Sequence, residues 1–343
     1  MTVVDPSESS PGTRAAARKE RVAGWRVGVL ASPAAPVYGA LIGIIVLAWI
    51  VVTIDGGEFL TTGNIVNMLQ RSVALGIVSL GQTVVILLGS LDLSVAALIS
   101  LSSLVTAQQM DGQPGNVIPA ILIVLAMGAG VGLANGLIIT KLRVNAFIAT
   151  LGMALILGGI IENGWSGPQG GVTDAFSQDL GYTRFGVIPM SFILFAVVAV
   201  VIWFILRSTR FGYRVYAVGG SEDVSKLSGL RTHRTIIGAH IVCSLTAVIT
   251  GIFLASRLKA GTPTVGLDGG YDLESIAAVV LGGTALTGGR GGVIGTIGGV
   301  FILAVLDNVF NQLEFNSFVR DVVRGIVIIA AVAIYARRQE KKA

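Results

Sequence analysis

The chain is 343 residues long, 53% hydrophobic and only 13% charged, with 46 glycines and a mean hydropathy of +0.81. That charge is too sparse to cover the surface of a water-soluble protein of this length, which excludes an ordinary pair of soluble domains. The net charge of +5 and pI near 9.6 would suit nucleic acid, but the cations sit beside apolar runs and not on one soluble face, so that partner is excluded too.

Residues 1–36 are rich in Ser and Pro and then basic (Arg14, Arg18, Lys19, Arg21, Arg26), and are expected to form a disordered cytoplasmic leader. The first sustained apolar run begins near Val37, too late and too long for a cleaved signal peptide. Ten runs then approach the roughly 20 residues a crossing needs. They are 37–54, 72–88, 93–107, 118–140, 146–161, 187–206, 236–255, 273–286, 293–310 and 318–336. Glycine scattered through such runs suits close packing of membrane helices. The expected fold is therefore all-α and polytopic, with about ten transmembrane helices in a domain over 37–336 and a basic cytoplasmic tail over 337–343. With the N-terminus inside, eighteen cations fall on the inner side and six on the outer, so both termini are expected in the cytoplasm.

Within this order the acid Asp92, in 81–105, is the sharpest single residue, because an acid amid apolar runs is costly and marks a pathway or a specific partner. A second role competes: Gly89 and Ser90 can break the helix and leave Asp92 to cap the next one beside the cytoplasmic interface. Ser94, Asn145 and Thr150 could hydrogen-bond a polar solute or a neighbouring helix. Asp307 and Asn308, near the outer end of the ninth run, raise the same question as Asp92. The loop 163–186 carries Trp165, Phe176, Tyr182 and Phe185, which fit either a belt at the membrane boundary or a docking surface.

Residues 207–235 form a polar island with six cations, Arg207, Arg210, Arg214, Lys226, Arg231 and Arg234, and are expected to be a cytoplasmic loop. Its centre is written as a short helix. Gly219 and Gly220 should give a turn, Ser221 an N-cap, and Glu222 and Asp223 negative charge at the positive end of the dipole. Lys226 and Ser228 lie towards the other end, with Gly229 in the left-handed position beyond it. Val224 and Leu227, three apart, make a small apolar stripe. Two turns of helix are marginal alone in water, so this one should rest on something.

Catalysis has little to work with. The run 282–292 has Gly288, Gly289 and Arg290 where a Walker loop needs Gly-Lys-Ser/Thr, so it reads as a tight turn and not as a nucleotide site. His233 and His240 are the only histidines and Cys243 the only cysteine, which gives no metal set, no catalytic triad and no internal disulfide.

Five stretches together resemble the permease subunits of bacterial ABC importers for monosaccharides, the ribose-type family. They are FLTTGNIVNMLQ (59–70), GQTVVILLGSLDLSVAA (81–97), KLRVNAFIATLGM (141–153), FGYRVYAVGGSEDVSKLSGL (211–230) and GYDLESIAAVVLGGTALTGGRGGVIGTIGGVFILAVLDN (270–308). The family often has glycine where Ser90 stands, and proline before the Phe-Ile-x-Thr run where this chain has Asn145 and Ala146. The resemblance implies an ABC-importer permease fold in the bacterial inner membrane, a second permease chain in a homodimer, a cytoplasmic ABC ATPase and an extracytoplasmic sugar-binding protein. It implies that 221–229 is a coupling helix seated in the ATPase, and that this chain takes no cofactor and is not itself an enzyme. A permease for a nucleoside or other small polar solute stays open beside the monosaccharide reading, as does an ion-coupled secondary transporter using Asp92 or Asp307.

Overall fold

A computed structural model describes residues 34–316 together with 318, 319, 322, 323, 325 and 326. Most of the expected leader, most of the run 318–336 and the basic tail 337–343 lie outside the described residues.

Eleven helices carry the architecture: α1 Ala35–Ile54, α2 Thr62–Ile86, α3 Val95–Met110, α4 Val117–Lys141, α5 Ala146–Gly164, α6 Met190–Ser208, α7 Arg210–Gly220, α8 Glu222–Leu227, α9 Thr232–Leu258, α10 Tyr271–Leu281 and α11 Val293–Gln312. Seven of them, α1, α2, α4, α5, α6, α9 and α11, are long and apolar enough to cross a membrane. At about 1.5 Å per residue, α3 and α10 fall short of a hydrocarbon core roughly 30 Å thick. Each of these short helices adjoins a break in the backbone, 87–94 before α3 and 282–292 after α10.

Two boundaries differ from the hydropathy reading for identifiable reasons. The second helix starts at Thr62 and not near 72, because the Thr61 hydroxyl accepts the Asn64 N–H (3.2 Å) and caps a first turn too polar to register as apolar. The eighth run stops at Leu281 because Gly283 turns left-handed (φ +83°). The loop after α5 is also more ordered than its composition suggests. It holds helical turns over 174–182, capped by Thr173, and a two-residue antiparallel ribbon of β1 Arg184–Phe185 with β2 Ile188–Pro189.

The centre of the bundle is α2 and α9. From Ser72 to Ile86 every residue of α2 is buried, and α9 packs on α2, α3 and α4. Hydrophobicity alone cannot drive helices together in lipid, so close backbone approach has to do it. Gly128, Gly132 and Gly136, one per turn of α4, supply it. A Cβ on Gly132 would lie 2.6 Å from the His240 carbonyl oxygen, and one on Gly136 2.6 Å from the Ile237 Cα. The helices around this centre turn apolar side chains outwards, among them Ile42 and Leu47 on α1, Leu155 and Ile156 on α5, and Val200 and Phe204 on α6. A bilayer is the solvent in which such a surface is stable.

Candidate functional site

The polar island begins with α7, an amphipathic helix capped by the Thr209 hydroxyl, which accepts the Gly212 N–H (3.2 Å). It buries Val215 and Val218 and exposes Arg210 and Tyr213. The expected turn at Gly219–Gly220 does not occur there, because α7 runs through both glycines to Ser221. The chain changes direction at Ser221, whose backbone is extended (φ −165°, ψ 112°).

From there α8 follows the sequence closely. The Ser221 hydroxyl accepts the Val224 N–H (3.3 Å), and Lys226 pairs with Glu222 (3.0 Å) one turn back. Ser228 donates its hydroxyl to the Val224 carbonyl (2.9 Å), and Gly229 takes the left-handed position (φ +79°). Ser225 faces inwards and is buried, while Val224 is 61% and Leu227 89% exposed. Two aliphatic side chains thus stand free at the tip of a hydrogen-bonded, charge-capped turn.

The glycines expected to make a turn do something else. Gly219 lies against the Leu87 carbonyl oxygen so closely that any Cβ there would overlap it. The same carbonyl accepts the Gly289 N–H (2.9 Å), and a Cβ on Gly288 would fall 2.8 Å from the Gly89 nitrogen. Gly89, Gly288 and Gly289 all have positive φ, so the two backbone breaks meet in conformations only glycine adopts cheaply. The end of α7 is wedged into that meeting point. Tyr216 on α7 adds a hydrogen bond from its hydroxyl to the Gly291 carbonyl (3.1 Å), and burial raises the phenol above its usual pKa, which keeps it a donor.

Asp92 lies in the first break and is fully buried. It does not cap α3, which begins three residues later after Ser94. Its Oδ1 instead accepts the Ser94 N–H (3.0 Å) in a local turn and the Ser94 hydroxyl as well. Its Oδ2 accepts from His240 Nδ1 (3.2 Å) on α9 and, at 3.5 Å, from Asn135 on α4. In the neutral ring His240 Nε2 accepts from the Ser90 hydroxyl (3.0 Å), and Asn135 also donates to Ser94 Oγ (3.0 Å). The acid is therefore surrounded by donors, and it ties the first break to α4 and α9.

Three of the residues singled out as lining a pathway gather here: Asp92, Ser94 and Thr150, whose hydroxyl reaches the Leu91 carbonyl (3.3 Å). Asn145 stands apart and caps α5, its side chain accepting the Phe147 N–H (2.9 Å). Asn308 is at the other end of the bundle, where it exchanges a hydrogen bond with Asn64 (2.6 Å) and accepts from Gln312 (2.9 Å). Asn135 escaped the reading of the sequence, which weighed His240 only as a metal ligand and Ser90 only as a helix breaker. One signal was available for His240: a buried acid between membrane helices needs a partner, and His240 is the only ionisable side chain in the run 236–255 apart from the thiol of Cys243. Among the described residues no group of three His, Cys, Asp or Glu could hold a metal ion.

Comparison with known proteins places these features in a wider set. The family model described as branched-chain amino acid transport system / permease component matches residues 64–332. The ribose import permease protein RbsC of Escherichia coli (strain K12) is 38% identical over 306 residues, covering 88% of this chain and 94% of that protein. RbsC of Bacillus subtilis (strain 168) is 39% identical over 298 residues, 86% of this chain and 91% of the relative. The L-arabinose transport system permease protein AraH of Escherichia coli (strain K12) is 33% identical over 309 residues, 89% and 92% of the two chains. No solved structure was found to match.

Proposed function

The chain belongs to the permease family of branched-chain amino acid transport systems, and on that premise we propose that it is the pore-forming subunit of an ATP-driven importer that moves a monosaccharide into the cytoplasm by alternating access. The observation that carries this reading is the near full-length similarity to ribose, galactose and arabinose permeases. A neutral, hydroxyl-rich solute suits a pathway lined by Ser, Thr, Asn and backbone groups, since a charged one would need buried counter-charges.

ATP hydrolysis belongs on a separate cytoplasmic ABC ATPase, delivery of the solute on an extracytoplasmic binding protein, and the pathway on the axis between two copies of this chain. The polar island and both termini then face the cytoplasm, in keeping with the cation bias. Helix α8 with its flanking caps, residues 221–229, is the coupling helix, and Val224 and Leu227 seat in a groove of the ATPase in the helix-in-groove manner. The contact of Gly219 with Leu87 and Gly289 supports a route for the stroke, since a displaced α8 would carry α7 against both backbone breaks at once. In this reading Asp92 and His240 are positioning residues that hold the first break to α4 and α9 while it is pushed.

The test is uptake into proteoliposomes holding this chain, its ATPase and its binding protein. Uptake should require ATP, survive collapse of the ion gradients, and be competed by pentoses or hexoses and not by leucine. Uptake that tracks an ion gradient without ATP would replace this reading with a secondary transporter working through Asp92.

A further inference from the structure

A cavity of about 600 Å³ opens at the same end of the bundle as α7, between the start of α1, the end of α6, α7 and the start of α11. Its walls are Trp203, Arg207, Tyr213 and Tyr216 on one side and the backbone of Gly291–Gly292 with Val293 and Ile294 on the other. No acid lines it. The Arg207 guanidinium lies over the Trp203 ring, 5.7 Å from its centre, and makes no ion pair among the described residues. The first turn of α11 adds its N–H groups, since the cap residue Gly292 has no side chain to accept from them. Arg207 stands in the last turn of a 19-residue apolar helix, which sets the cavity at the depth of the lipid headgroups. Above it on α6, Val197, Val200, Val201 and Phe204 form an exposed stripe at helical spacing, leading from the cavity towards the middle of the bilayer.

We infer that this cavity binds the headgroup of one anionic phospholipid, with its phosphate on Arg207 and an acyl chain along the α6 stripe. Charge decides between this occupant and the nearest other one. Residues 1–33 precede Ala34, which itself borders the cavity, but they carry five cations (Arg14, Arg18, Lys19, Arg21, Arg26) against three acids (Asp5, Glu8, Glu20) and would bring net positive charge to Arg207. A zwitterionic phospholipid offers the same phosphate but brings an ammonium as well, and no acid lines the cavity to meet it. The inference goes beyond transport and does not rest on which solute is carried.

Trp203 makes the site readable. In the full chain with Trp25, Trp49 and Trp165 changed to Phe, brominated phosphatidylglycerol in mixed micelles should quench Trp203 at about fivefold lower mole fraction than brominated phosphatidylcholine, the gain expected of one cation facing an anionic headgroup. Arg207→Gln should abolish that preference. As a second measurement on chains with all tryptophans in place, mass spectrometry of co-purified lipid should find phosphatidylglycerol enriched over the bulk membrane in the wild type and not in Arg207→Gln. Equal quenching by the two lipids, or a preference that survives Arg207→Gln, would overturn the inference. So would quenching that develops only after residues 1–30 are deleted, because the leader would then be the occupant.

Discussion

Leu227→Asp is the sharpest test of the coupling role proposed for α8. The side chain is 89% exposed, so nearly all of it is available for burial in a partner. Burying a leucine removes about 1.5–3 kcal/mol of exposure cost. At about 1.4 kcal/mol per tenfold, losing that contact alone weakens the ATPase complex roughly ten- to a hundredfold. The aspartate adds to this by placing an unpaired charge in the apolar groove. The membrane fold should be barely touched, because substitutions at exposed positions outside special features usually fall within about 0.5 kcal/mol. An aspartate in the last turn faces the negative end of the helix dipole, which costs about 0.3–1 kcal/mol and stays local to α8. The assay is affinity purification of the tagged permease with its ATPase, scored beside uptake and beside the permease's own elution profile. Leu227→Ala should show the milder loss and Leu227→Asp a complete one, both with normal elution. An intact complex and normal uptake in Leu227→Asp would mean that α8 is an ordinary surface loop and that coupling runs elsewhere.

Gly219→Ala separates docking from transmission: its Cβ overlaps the Leu87 carbonyl, so the variant should still bind the ATPase yet lose uptake, and normal uptake would remove the route through the two backbone breaks. Asp92→Asn keeps an acceptor for Ser94 and should retain expression and most uptake, whereas Asp92→Leu strands the donors of His240 and Asn135 at about 1–3 kcal/mol each, seen as aggregation on size exclusion. A stable Asp92→Asn protein without uptake would put the acid on the pathway itself. Topology is read with single cysteines in a Cys243→Ala background: Ala175→Cys, exposed in the loop after α5, should react with an impermeant thiol reagent on intact cells, and Arg210→Cys on α7 only after permeabilisation. Labelling of Arg210→Cys in intact cells would invert the orientation.

Composition and local pattern by themselves determined the class of molecule and most of its helices. Apolar runs near the length of a crossing must become helices in lipid, because no other open structure satisfies the backbone there. Helix α8 was equally legible, since caps, dipole charges and the terminal glycine all act within one turn of the residues that carry them. The tertiary structure alone decided what pairs across the chain. Asp92 meets His240 across 148 residues, and nothing local to either says so. The glycines at 219 and 220 suggested a turn, because glycine permits one; packing used Gly219 instead for its missing side chain, at a contact with the Leu87 carbonyl that only the assembled bundle creates. Local signals fix conformation where the interacting groups are neighbours in sequence. A glycine or a buried acid has its meaning set by whatever the fold brings against it.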